Sequence, residues 1–108
     1  MLGHMADAER VHSYRALCFS RGETKSLPGF EQDDYVKTAD FNKRSLRSLA
    51  TELLLIRNAN LSLFKSFDEE TLMRKGKSNN KDFTVRAMMF IIAGHELHHM
   101  KILKERYL

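Results

Sequence analysis

The chain has 108 residues, of which 43% are hydrophobic and 30% are charged, and its net charge is +4. This length suits one domain with one modest core, and because no apolar run reaches about eighteen residues, no transmembrane helix is expected. The basic residues are scattered among acidic ones, which argues against nucleic-acid binding. The N-terminus does not have the layout of a secretory signal, and Cys18 is the only cysteine. We therefore expect a cytoplasmic protein without a disulfide.

The first predicted element is a helix over residues 1 to about 20. Apolar and small side chains recur there at helical spacing, and Gly22 is a natural stop. Residues 21 to 44 follow as a predicted long loop, because Pro28 and Gly29 interrupt any helical pattern. Long loops are often functional, so this one is interpreted as a connection between helices that run the same way, as a cover over a site, or as both.

The strongest helical pattern covers residues 45 to 67. Its inner face is predicted from apolar spacings of three and four, at Leu46, Leu49, Leu53, Ile56, Asn60, Leu63 and Phe67. A second set is expected to widen this face: Leu54, Leu55, Leu61 and Phe64. Asn60 is the one polar member, so it either sets the helix register through a buried hydrogen bond or lines a polar pocket.

Two more helices are predicted toward the C-terminus. A short one runs from about 68 to 75 and ends at Gly76, and after a polar loop a long one runs from 84 to 107 with Thr84 as its N-cap. The inner face of the long helix is predicted at Val85, Met88, Ile92, His95, His99, Ile102 and Arg106, broadened by Met89, Phe90 and Leu103. No strand is predicted, so the expected fold is all-α, a single helical bundle of three long helices and a short one.

Residues 95 to 99 read His-Glu-Leu-His-His, which matches the H-E-x-x-H signature of zinc peptidases. A peptidase would take its third metal ligand from further along the chain. Glu105 is the only acid after His99, and at six residues beyond it this side chain faces away. The peptidase interpretation is therefore rejected.

His95 and His99 still lie one turn apart on the inner face of the last helix. Two buried imidazoles lose solvation unless something pairs with them, and a shared divalent metal ion does so. Because three protein ligands are usual, the third must come from upstream, from His4 or His12 on the first helix. Helical phase alone favours His4 only weakly.

Three stretches carry a family resemblance: GHMADAER at residues 3–10, LPGF at 27–30, and VRA and IIAGHELHH at 85–87 and 91–99. Together they resemble the DinB-like (DinB/YfiT-like) family of metal-dependent enzymes over nearly the whole chain. The resemblance implies a four-helix bundle, with one metal-binding histidine on the second helix and an H-x-x-x-H pair on the fourth. Carried onto this chain, the metal ligands are His4, His95 and His99, and the family's first helix is expected to be missing.

The same resemblance implies a divalent-metal-binding protein, with zinc or nickel as the first choices, that acts as a metal-dependent thiol transferase or hydrolase on a small-molecule thiol. Glu96 is interpreted as a base or as a partner of the ligands, and Asp7 and His98 as residues that support the metal ligands. Arg10 and Arg15 either meet an anionic substrate or are solvated, and solvation is the preferred interpretation.

Two alternatives to an enzyme remain. One is a metal-binding protein without turnover, and the other is a purely structural helical oligomer with histidines in its core. Because a bundle short of one helix exposes a long apolar groove, a homodimer or larger oligomer is expected in every case. Neither nucleic acid nor a membrane is expected as a partner.

Overall fold

Helix α1, Leu2–Ser20, is the element around which the other helices are arranged. The structure is a computed structural model that describes the backbone of residues 1–107 and their side chains except those of residues 99, 100, 102–104, 106 and 107. Two other long helices, α3 (Leu46–Lys65) and α5 (Val85–Tyr107), pack along α1. Among the described residues, these two helices make few direct contacts with each other. The fold class is all-α, as the sequence predicted.

Local hydrogen bonds account for where α3 and α5 begin. The Ser45 side chain accepts a hydrogen bond from the backbone N–H of Ser48 at 3.0 Å, and Thr84 Oγ1 accepts one from the N–H of Ala87 at 3.0 Å. Each hydroxyl satisfies a backbone donor that has no partner within its own helix. The predicted N-cap at Thr84 is confirmed.

The core has two parts, strung along α1. Near its start, Met5 and Ala6 pack against Leu53 and Ile56 of α3. Near its end, Ala16 and Phe19 pack against Val85 and Met88 of α5. Phe64 of α3 also packs against the second part, so α3 and α5 both lie along α1, and a groove remains between them.

The predicted inner faces are correct at their centres and wrong at their edges. Leu49, Leu53 and Ile56 are buried in α3, as are Val85, Met88 and Ile92 in α5. The side chains expected to extend these faces are exposed instead: Leu46, Leu54, Leu55 and Leu61 on α3, and Phe90 on α5. An apolar residue is buried only where a neighbouring element covers it, and none of the described elements covers these.

A β-hairpin was missed by the sequence analysis. The predicted short helix is limited to α4 (Glu69–Leu72), and the chain then forms strands β1 (Lys75–Ser78) and β2 (Lys81–Thr84), which pair antiparallel. Asn79 and Asn80 both have positive φ, at 53° and 63°, which is the conformation of a two-residue type I′ turn.

Residues 21 to 44 were predicted to be a loop throughout, and this prediction is wrong for part of the region. It contains helix α2 (Gln32–Ala39) and a 3₁₀ turn (Phe41–Lys43). Its first part is bound to the hairpin, because the N–H of Leu27 donates to the carbonyl of Lys77 and the Leu27 carbonyl accepts from Asn79, both at 2.8 Å. The region is thus an ordered layer against α1.

No helix in the described part of the chain is both long enough and apolar enough to cross a membrane.

Gly76 offers a test of the packing between the hairpin and α1. A Cβ atom there would overlap the ring of Phe19, whose side chain is fully buried. We expect Gly76→Ala to lower the free energy of unfolding by about 2–3 kcal/mol, since a buried ring has little room to move. Gly94→Ala is the control: its Cβ would meet nothing, so chemical denaturation should show an unchanged stability or a gain of up to about 1 kcal/mol. Equal stability of the two variants would contradict this packing.

Candidate metal centre

The first pair of candidate ligands meets where α5 crosses the start of α1. The rings of His4 and His95 have centroids 5.2 Å apart and planes inclined at 69°. Two imidazoles that bind one tetrahedral ion through nitrogens at about 2.1 Å have centroids about 5 Å apart. The separation of this pair therefore fits a shared metal ion.

His12 lies on the other side of His95. Their ring centroids are 5.9 Å apart at an interplanar angle of 70°, so His95 sits between the two histidines of α1. His12 Nδ1 is buried and has no hydrogen-bond partner among the described residues. Such an atom is unusual in a folded protein and marks either a functional group or a position for a bound partner.

Burial keeps His12 and His95 neutral. Desolvation, followed by the charges of Arg15, His95 and His4, lowers the pKa of His12 to about 4. Desolvation also lowers the pKa of His95, with smaller contributions from His4 and His98. Both rings are therefore neutral at pH 7, and the neutral imidazole is the form that binds metal ions.

The third predicted ligand, His99, lies outside the residues whose side chains the structure describes. Within the described set, no group of three His, Cys, Asp or Glu side chains is arranged to hold a metal ion. The structure thus brings His4 and His95 together, and the membership of His99 stays a prediction.

A network of charged groups lies beside the histidines. Glu9 of α1 is only 7% exposed, and its carboxylate accepts a hydrogen bond from Asn60 Nδ2 at 2.9 Å and one from Arg57 at 3.5 Å. Arg57 also contacts the carboxylate of Glu96 at 2.8 Å. One guanidinium on α3 therefore joins a carboxylate of α1 to a carboxylate of α5, and Asn60 supplies the hydrogen bond that its position in the sequence suggested.

A small cleft joins this network to the histidines. It is lined by Met5, Glu9, His12, Arg57, Ile92, His95 and Glu96. Because the cleft holds neutral imidazoles, a guanidinium and carboxylates together, it contains both hydrogen-bond donors and proton acceptors.

The supporting residues predicted from the sequence occupy varied positions. Glu96 lies in the cleft but is paired with Arg57. Burial raises the pKa of Asp7, against the opposing charges of Arg10 and His4, which places its carboxylate in the electrostatic field of His4. His98 lies on the exposed side of α5, and its charge reaches His95.

Two features of the site escaped the sequence analysis. His12 had been set aside as a ligand, yet it lies seven residues after Met5 and so shares the buried face of α1. Glu9 was not singled out at all, although it lies between them on that face. An acid and a histidine among small buried residues were the available signal.

Comparison with protein families gives a match over nearly the whole chain. A family model described as the DinB superfamily matches residues 1–103. No curated protein and no solved structure matches the chain.

The shared guanidinium of Arg57 can be tested by its removal. We expect Arg57→Ala to lower the free energy of unfolding by about 2–4 kcal/mol, because the buried carboxylate of Glu9 would lose its cation. Urea denaturation measures the loss, and Arg47→Ala, at an exposed position of the same helix, should change stability by less than about 0.5 kcal/mol. In an Arg57→Ala/Glu9→Gln double variant part of the loss should be recovered, and strict additivity would contradict the network.

Proposed function

The chain belongs to the DinB superfamily, and on that premise we propose that it binds a divalent metal ion through His4, His95 and His99. Members of this superfamily commonly bind such an ion. The observation that carries the proposal is the contact between His4 and His95, residues 91 positions apart that meet at a separation suited to one ion. Their approach requires α1 and α5 to pack in one particular rotation.

The chemistry of the donor set supports zinc or nickel as the ion. Imidazole nitrogens suit both metals, and three neutral ligands leave the ion its full positive charge. When bound, such an ion lowers the pKa of a coordinated water or thiol. We therefore propose that the protein is a metal-dependent thiol transferase or hydrolase.

The surrounding residues have separate tasks in this proposal. Arg57 holds Glu96 beside His95, so the carboxylate orients groups at the site and accepts a proton there. His12 presents an unpartnered nitrogen to the same cleft and can hydrogen-bond a substrate. Burial by Met5 and Ile92 limits the access of water to the cleft.

Two other functions are distinguished by their metal content and turnover. A metal-binding protein without turnover would keep the ion but catalyse nothing. A purely structural oligomer would need no ion at all.

We also propose that the chain forms a homodimer through the groove between α3 and α5. Apolar side chains line this groove, including Leu61, Phe64, Met89 and Ile92. Leu54 beside it is 58% exposed. A monomer rarely leaves such an apolar groove open to water, and a second copy of the same chain would cover it.

Metal analysis tests the ligand set. We expect the purified protein to bind one divalent ion per chain, and His95→Ala to weaken binding at least about 100-fold, because loss of a direct ligand exceeds the effect of losing a group that only supports one. Isothermal titration of EDTA-stripped protein with zinc measures the affinity. Lys101→Ala, at an exposed position of the same helix, is the control and should bind as the wild type does.

Which histidine of α1 binds the ion is tested by comparing two variants. His4→Ala is expected to reduce zinc affinity far more than His12→Ala, and the reverse order would replace His4 by His12. Absence of any bound ion would leave only the structural interpretation. A thiol-transfer and hydrolysis screen of the metal-loaded protein separates an enzyme from a protein that merely binds the ion.

Light scattering tests the dimer. We expect a mass of twice the chain mass of 12.6 kDa, and Leu61→Glu should return it to the single-chain mass by placing a charge in the groove. Leu55→Glu is the control, because Leu55 is exposed and lies about 180° around α3 from Phe64 in the groove. A wild-type monomer throughout a dilution series would refute the dimer.

A further inference from the structure

Arg15 differs from the other described arginines in its surroundings. Most arginines of the described part have a carboxylate partner: Arg10, Arg44, Arg57, Arg74 and Arg86. Among those that have none, Arg21 and Arg47 are exposed and solvated, whereas Arg15 is half-buried. Arg15 is therefore the one described arginine that is partly removed from water without a neutralising acid.

The contacts of Arg15 leave most of its donors available. Its Nη2 donates a hydrogen bond to the carbonyl of Pro28 at 2.9 Å, and the guanidinium carbon lies 5.7 Å from the centroid of the Phe30 ring. A guanidinium has five N–H donors in a planar fork, and a single backbone oxygen accepts only one of the set. Burial lowers the pKa of Arg15, whereas the nearby Tyr35 raises it. An arginine nevertheless remains charged at any physiological pH.

The guanidinium lies in a cleft between α1 and residues 27–35. The cleft has a volume of about 290 Å³, close to the lower end of the range of small-molecule sites, and its walls include Val11, Tyr14, Leu27, Phe30 and Tyr35. Phe30 and Tyr35 meet edge to face with centroids 5.2 Å apart. Arg10 also lines the cleft but is paired with Glu52, so the apolar and aromatic surface surrounds one cation, Arg15, that has no acidic partner.

The outer wall of the cleft is held in place by backbone hydrogen bonds. Leu27 exchanges two of them with the hairpin, one to Lys77 and one from Asn79. Acidic residues in and near α2 line other clefts: Asp34 and Asp7 line one of them, and Glu31 and Asp33 line another. The cleft at Arg15 is thus both preformed and free of carboxylates that would compete with an anion.

We propose that the cleft between α1 and residues 27–35 binds a small organic carboxylate with an apolar or aromatic body, and that Arg15 holds the carboxylate. The planar fork matches the two oxygens of a carboxylate, and the rings of Phe30 and Tyr35 cover the body of the ligand. Phe30 also contacts His12, at 6.1 Å between ring centroids, so the ligand lies next to the histidines. Binding of this ligand does not depend on the metal proposed above.

Benzoate and benzamide are the probes, because they share a shape and differ in charge. A titration of ¹⁵N-labelled protein followed by NMR should show benzoate shifting the amides of Leu27, Gly29 and Phe30. We expect benzoate to bind at least about tenfold more tightly than benzamide, the difference that a charge-assisted bidentate contact supplies. The titration is run with and without EDTA, and the same shifts are expected in both because no metal takes part.

Arg15→Gln should abolish the preference for benzoate, and Arg47→Gln, which removes an equal charge at an exposed position, should keep it. The dispersion of the same spectra shows that each variant is folded. If Arg15→Gln does not fold, Arg15→Lys replaces it and should weaken the preference, since an ammonium lacks the fork. Equal affinity of the wild type for both probes, binding seen only without EDTA, or a preference that survives in Arg15→Gln would overturn the proposal.

Discussion

The buried carboxylate of Glu9 is the interaction on which the arrangement of the three long helices depends. A charged group that is 7% exposed must be given hydrogen bonds and a counter-charge, and α3 supplies both through Asn60 and Arg57. This requirement sets the register of α3 against α1. Because Arg57 also binds Glu96, the same guanidinium sets the rotation of α5. His95, next to Glu96, is thereby turned toward α1.

Small side chains let α1 serve two partners at once. Ala6, Ala8 and Ala16 are buried, and the buried hydroxyls of Ser13 and Ser20 bond to carbonyls of their own helix, at Arg10 and Leu17. Such a surface admits close approach without leaving polar groups unsatisfied. The hairpin then closes the far end of α1, where the Arg74 side chain donates to the Ser20 carbonyl and Gly76 lies against Phe19. The helix is therefore covered on its inner face from its first turn to its last.

Particular residues show which features the sequence could predict and which it could not. The helix over 45 to 67 and the cap at Thr84 were predictable, because periodicity and capping depend on neighbours along the chain. Leu54 and Phe90 were placed in the core because a periodic pattern does not say whether a partner covers each edge of a helix. The hairpin was missed because β1 contains two lysines, a glycine and a serine, without apolar residues to mark a strand. Its Asn79–Asn80 turn was the available signal.

The sequence by itself determined the three long helices, the one-turn spacing of His95 and His99, and the family to which the chain belongs, since all of these are local patterns or motifs. Only the tertiary structure decided that His95 faces both His4 and His12, that one arginine joins Glu9 to Glu96, and that Arg15 lies in an aromatic cleft without an acid beside it. These facts depend on how each helix is rotated about its axis and on which segment covers it. Rotation and cover result from contacts between residues far apart in the chain, and no local pattern records them.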